Sequence, residues 1–125
     1  MSKKSSNKTF QRNVISGRLA SDPRFKFTSK GKAICNFGLV VNDDLTNDSD
    51  YIPCVAWDEE AKLINDNAKK GSLILIEGKI KSSKYMVDNL PQYDFKFEIS
   101  SAMGSKLLFL DNKPVVEKEN MQGNE

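Results

Sequence analysis

Apolar and polar positions alternate with a period of two along most of the chain, the mark of strands that each turn one face to a core. The pattern begins at Asn13, with Ile15, Gly17 and Leu19 on one side and Val14, Ser16 and Arg18 on the other. Ser21-Asp22-Pro23 reads as a turn, residues 25–28 as a short extended piece, and Ser29-Lys30-Gly31-Lys32 as a hairpin turn. Residues 33–42 alternate again, placing Ala33, Cys35, Phe37, Leu39 and Val41 on one face. The Asn- and Asp-rich stretch 42–50 predicts a surface loop. In residues 51–57, Ile52, Cys54 and Ala56 are small and apolar and stand against Tyr51, Pro53, Val55 and Trp57. Pro53 predicts an edge or an irregularity there, because proline cannot donate to a strand ladder.

The period changes once. Residues 58–67 predict a helix, with Asp58 as N-cap, Glu59 and Glu60 in the first turn, and Ala61, Leu63, Ile64 and Ala68 as an apolar stripe. Lys69-Lys70-Gly71 would end it, cations near the C-terminus and glycine beyond. A long strand follows over about 73–85: Ile74, Ile76, Gly78 and Ile80 point one way, Lys79, Lys81, Ser83 and Tyr85 the other. Asn89-Leu90-Pro91-Gln92 reads as a turn, after which Tyr93, Phe95, Phe97 and Ile99 alternate with Asp94, Lys96 and Glu98, and residues 106–110 extend the sheet. Three strands, one short helix and two strands is the layout of the OB fold. The expectation is an all-β domain with one short helix, a five-stranded Greek-key barrel over residues 13–110, preceded by a flexible basic arm (1–12) and followed by a short disordered polar tail (111–125).

Composition narrows the function more by exclusion than by indication. The 125 residues suit a single domain, and 38% hydrophobic residues can support a core. The net charge of +2 divides into +4 in residues 1–12, −2 in residues 111–125 and zero between, so total charge announces no partner. No apolar run is long enough to cross a bilayer and no signal peptide opens the chain, which predicts a soluble, cytoplasmic protein with no membrane partner. There is no histidine. That removes the commonest general base and metal ligand, and with them any Ser-His or Cys-His nucleophile. Cys35 and Cys54 read as buried reduced thiols and cannot form a structural zinc site alone. Asp43, Asp44, Asp48 and Asp50 match no calcium-loop spacing and read as a solvated loop. No phosphate-binding glycine loop is present. No enzyme activity, metal or cofactor is expected.

What stands out is aromatics on the outward sides of strands. Tyr51 and Trp57 share one face, and Tyr85 ends a face that carries Lys79 and Lys81. Single-stranded DNA needs this combination, since bases stack on aromatic rings and phosphates need cations beside them. The same face would serve equally as a subunit or partner interface.

The motifs then fall in order. Asn13-Val14-Ile15-Ser16-Gly17-Arg18-Leu19, Asp22-Pro23, Asn36-Phe37-Gly38-Leu39-Val40-Val41-Asn42, Tyr51-Ile52-Pro53-Cys54-Val55-Ala56-Trp57, Lys70-Gly71-Ser72 and Ile76-Glu77-Gly78-Lys79-Ile80 together resemble bacterial and phage single-stranded DNA-binding proteins of the SSB type. The resemblance covers about residues 13–110. It implies an OB fold, DNA binding with little sequence preference, and a homo-oligomer, a tetramer ahead of a dimer. It places Tyr51, Trp57 and Tyr85 at base-stacking positions and Lys26, Lys81 and Lys84 at phosphate-facing ones; strand alternation adds Arg18 and Lys79. Leu45 stands where the family carries a further aromatic, and the loop over 43–50 is short. The chain stops at Gln122-Gly123-Asn124-Glu125 without the acidic, hydrophobic tip of cellular members, so recruitment of partners through such a tip is not expected, and the compact form looks like a phage or plasmid version. The expected role is non-catalytic coating and protection of unpaired DNA in replication, recombination or repair. The alternatives are an OB protein-interaction module and a primosome-type accessory factor.

Overall fold

The computed structural model describes residues 8–99 and 106–110. In chain order these form β1 (Asn13–Leu19), β2 (Arg24–Phe27), β3 (Ala33–Asn42), β4 (Ser49–Trp57), α1 (Asp58–Asn67), β5 (Leu73–Val87), β6 (Leu90–Ile99) and β7 (Lys106–Phe109). Strands β1, β3, β4, β6 and β5 pair in that order, and β5 pairs back onto β1, closing a ring of five. Only the β4–β6 contact is parallel. A ring of this order, with its helix between the third and fourth strands, is the OB fold. The two remaining strands are four-residue additions, β2 on β3 and β7 on β5, close to the short extended piece expected over 25–28 and the sheet extension expected over 106–110.

The alternating positions meet inside the ring. Cys35, Phe37 and Leu39 of β3 pack with Cys54 and Ala56 of β4, Ile74 and Ile76 of β5, and Phe97 and Ile99 of β6. Helix α1 buries Ala61 and Ile64 against this cluster. Val55 departs from the expected alternation: it lies on the outward side of β4 yet is 3% exposed. Its cross-strand neighbours, Asn36 on β3 and Glu98 on β6, stand on either side of it, so it lies between two paired strands rather than at an edge. Both cysteines are free and buried. Desolvation pushes the Cys35 thiol up to about 11 and the Cys54 thiol to about 12, so both stay protonated and unreactive at neutral pH.

Three local readings are corrected. First, Trp57, not Asp58, is the N-cap of α1, and no side chain caps the helix; Asp58 is its first residue, with φ of 57°. The strand runs straight into the helix, so a left-handed residue, which Asp tolerates better than most, turns the corner. Second, α1 ends at Ala68, whose N–H donates to the Ile64 carbonyl at 2.9 Å, and no cation lies in its last turn. Lys69 and Lys70 lie beyond, in a turn closed by the Ser72 N–H donating to Lys69 O at 2.9 Å and tied to β1 by the Gly71 N–H donating to Leu19 O at 2.8 Å. Third, the β5–β6 turn is Asp88-Asn89, with φ of 52° and 66°. Two successive left-handed residues match the twist of a two-residue hairpin. Leu90, Pro91 and Gln92 therefore belong to β6. Pro91 is tolerated because β4 pairs with β6 only from Phe97 to Ile99, leaving its start an edge.

No described helix is long and apolar enough to cross a membrane. Among the described residues no cluster of three or more potential metal ligands forms. Residues 1–7 of the expected basic arm and the expected tail 111–125 lie outside the described residues.

Candidate nucleic-acid interface

Register converts the alternation into rows across the outside of the ring. Lys26 of β2 lies opposite Ile34 of β3, which lies opposite Trp57 of β4. Arg24 lies opposite Asn36, then Val55, then Glu98 of β6, then Lys79 of β5. Farther along β4, Tyr51 lies opposite Val40, which lies opposite Arg18 of β1. Residues paired this way share a face. Trp57 and Tyr51 thus stand six residues apart on one face of β4, about 20 Å at strand rise, each with a cation beyond the neighbouring β3 residue.

The strip between the two rings is low. Pro53 faces Gly38 there. A Cβ built on Gly38 would fall within the Tyr51 ring, which therefore lies across the bare backbone of β3. Any side chain at position 38 would lift the tyrosine off. Tyr51 is 58% exposed, so its outer side is open. Arg18 donates from Nη1 to the Gly71 carbonyl at 2.9 Å, which anchors its guanidinium beside the loop that follows α1.

Trp57 is half-buried. The Lys32 ammonium sits 5.6 Å from its ring centroid and 4.0 Å from Oδ2 of Asp58. The turn before β3 holds Lys32 in place: the Thr28 N–H donates to Lys32 O at 2.8 Å, and the Lys32 N–H donates back to Thr28 Oγ1 at 3.1 Å. Gly31, at φ of 84°, supplies the left-handed step that the turn needs.

The third expected stacking residue stands elsewhere. Tyr85 lies opposite Gln92 on the part of the β5–β6 hairpin that projects past the ring, and is 45% exposed. Lys79 and Lys81 share its face, and Lys81 lies directly opposite Lys96. Lys84 does not join them: opposite Tyr93, it sits on the other face of the hairpin with Ile80 and Phe95. The half-buried carboxylate of Glu98 interrupts the row between Val55 and Lys79.

The sequence reading missed four residues on these faces: Arg24, Lys32, Asn36 and Lys96. Arg24 and Lys96 follow from period two once the strand is drawn, since Arg24 alternates with Phe25 just as Lys26 does. Lys32 has no such signal, because its place beside Trp57 depends on the turn and on β3–β4 register. A groove of about 850 Å³ also lies between residues 9–12 and β5, lined in part by Lys79, Lys81 and Lys106.

Residues 10–104 match the model of the single-strand binding protein family. Single-stranded DNA-binding protein A of Bacillus subtilis is 38% identical over 77 residues, 58% of this chain and 45% of that protein. The single-stranded DNA-binding protein of Halalkalibacterium halodurans is 38% identical over the same length, 46% of that protein. The match thus spans somewhat under half of these relatives. Single-stranded DNA-binding protein 3 of Streptococcus agalactiae is 28% identical over 116 residues, 89% of this chain and 81% of that protein. Among solved structures, a Plasmodium falciparum SSB in complex with ssDNA aligns with a TM-score of 0.74 at 22% identity, over 84% of this chain and 98% of that one, which supports the OB fold. Since the family model covers most of the sequence, on motifs that build the ring and its outer face, the chain belongs to the single-strand binding protein family.

Proposed function

We propose that this protein binds single-stranded DNA, coating and protecting it without a catalytic step. The observation that carries the reading is the outer face of β4, where Trp57 and Tyr51 stand in line with Lys26 and Arg18 across β3. Bases would stack on the two rings, and on Tyr85 of the hairpin, while Lys26, Lys79, Lys81, Lys84 and Arg18 meet phosphates. The binding unit is the domain over 13–110, between a basic arm and a polar tail. We extend the reading to a cytoplasmic protein that serves replication, recombination or repair, of the compact phage or plasmid kind; the three sequence relatives named above are bacterial. We also take it to be a homo-oligomer, a tetramer ahead of a dimer. Open apolar side chains support this: Ile80, Tyr93 and Phe95 on one face of the hairpin, and Val14 and Leu108 outside β1 and β7.

Trp57 is the chain's one tryptophan, so its fluorescence reports directly. Titration with oligothymidine at low salt is expected to quench it saturably, with affinity falling as salt rises. Trp57→Ala is expected to cost about 1–3 kcal/mol of binding in a gel assay. No quenching together with no gel shift would overturn the reading and bring forward the protein-interaction module.

A further inference from the structure

We propose that Lys32 is a DNA-contacting residue that works as a pair with Asp58: its ammonium leaves the Trp57 ring and the Asp58 carboxylate for the phosphate of the nucleotide stacked on Trp57. The inference rests on the proposed DNA binding and adds to it a site of exchange.

In the free protein the ammonium occupies a place that a nucleotide needs. At 5.6 Å from the ring centroid it is within cation–π range of the indole. At 4.0 Å from Asp58 Oδ2 it is at the outer limit of an ion pair. Both partners are exposed, 56% for the lysine side chain and 40% for the aspartate, and contacts this open to water hold weakly. The backbone is the opposite case. Thr28 grips residue 32 through its N–H and its hydroxyl, and Gly31 sets the turn. The anchor is thus fixed while the four-carbon arm is free to swing, so little is lost when the ammonium changes partner.

Asp58 gives the exchange its sign. Its left-handed backbone follows Trp57 directly at the β4–α1 corner and holds a carboxylate within reach of the ammonium that sits over that ring. That carboxylate repels an incoming phosphate unless a cation stands between them. Lys32 is that cation, so losing it removes one phosphate contact and also uncovers a like charge.

The test uses the whole chain and oligothymidine, with Trp57 fluorescence read over a series of salt concentrations. Lys32→Met keeps the aliphatic arm over the ring and removes only the charge. It is expected to weaken binding about three- to tenfold and to flatten the slope of log K against log salt by about 0.7, one phosphate contact on a single strand. Asp58→Asn is expected to tighten binding about two- to fivefold. In the double variant, the loss caused by Lys32→Met is expected to shrink, because the exposed carboxylate is gone. A merely structural role for Lys32 would leave the salt slope unchanged. Normal binding by the unaltered protein with an unchanged slope for Lys32→Met overturns this inference alone. Absence of binding by the unaltered protein overturns it together with the DNA-binding reading.

Discussion

Tyr51 and Tyr85 are both tyrosines on the outside of strands, about equally open to solvent, but they rest on different supports. Beneath Tyr51 is the ring: its strand neighbours Ile52 and Cys54 pack on or into the core, and its own ring lies across Gly38. Tyr85 stands where the β5–β6 hairpin projects past the ring, away from the core cluster formed by the described residues. Beyond residue 80 the β5–β6 hairpin is exposed on both faces, with Met86, Val87, Leu90 and Tyr93 all open to water. A two-stranded hairpin whose apolar side chains are left uncovered is marginal on its own. On the proposed reading, one stacking residue is held ready before a nucleotide arrives, and the other rides on an arm whose position costs little to change. Binding of single-stranded DNA without sequence preference, as proposed, would gain from both, the fixed ring setting a register and the arm following the strand.

The largest test of this contrast is stability. Phe37→Ala removes a fully buried ring from the core and is expected to cost about 3–5 kcal/mol. Val87→Ala, at the open end of the hairpin, is expected to cost about 0.5 kcal/mol or less. Urea unfolding of both variants reads the difference, and equal losses would mean that the hairpin is packed as firmly as the ring. A smaller effect concerns preorganisation. The atoms nearest a methyl at position 38 are those at the far end of the Tyr51 ring, so Gly38→Ala is expected to move the ring and leave the strand ladder in place. Its loss of oligothymidine affinity, about 1–2 kcal/mol, should match that of Tyr51→Ala with little change in stability. Wild-type affinity in Gly38→Ala would show that the bare backbone does not seat the tyrosine. The smallest effect lies in the turn. Asn89→Gly relieves a left-handed residue and is expected to steady the hairpin by about 0.5 kcal/mol. Amide hydrogen exchange should slow in residues 81–96 and stay unchanged in β3 and β4; slowing everywhere would join the two regions into one unit.

The pattern of alternation carried the ring well. The inward sets of β3, β4 and the first half of β5 meet largely where period two places them, Val41 excepted, and α1 spans the expected residues, although Leu63 of its stripe is 44% exposed. What was not legible depended on partners distant in sequence. Val55 is buried between neighbours on two other strands. Pro91 suggested a turn because the unpaired edge that admits it is a property of the sheet. Lys84 and Tyr85 are adjacent in sequence but lie on opposite faces, and only β5–β6 register shows that the cation faces Tyr93. Lys32 read as one more turn residue until β3 and β4 were set side by side.

Gln11 has a consequence for how the molecule lives among its copies. Its amide nitrogen donates to the Ile80 carbonyl at 3.2 Å, and its amide oxygen accepts from the Ile80 N–H at 2.9 Å. Strand β1 stops pairing with β5 at Gly78, so a side chain takes up the next two hydrogen-bonding groups that another strand could have claimed. Farther out, the margins of the hairpin carry Lys81, Lys84, Pro91 and Lys96, residues that discourage strand addition. The projecting arm can therefore stay long and solvent-exposed without serving as a template for aggregation, and at high concentration the protein is protected by chemistry at its margins rather than by burial.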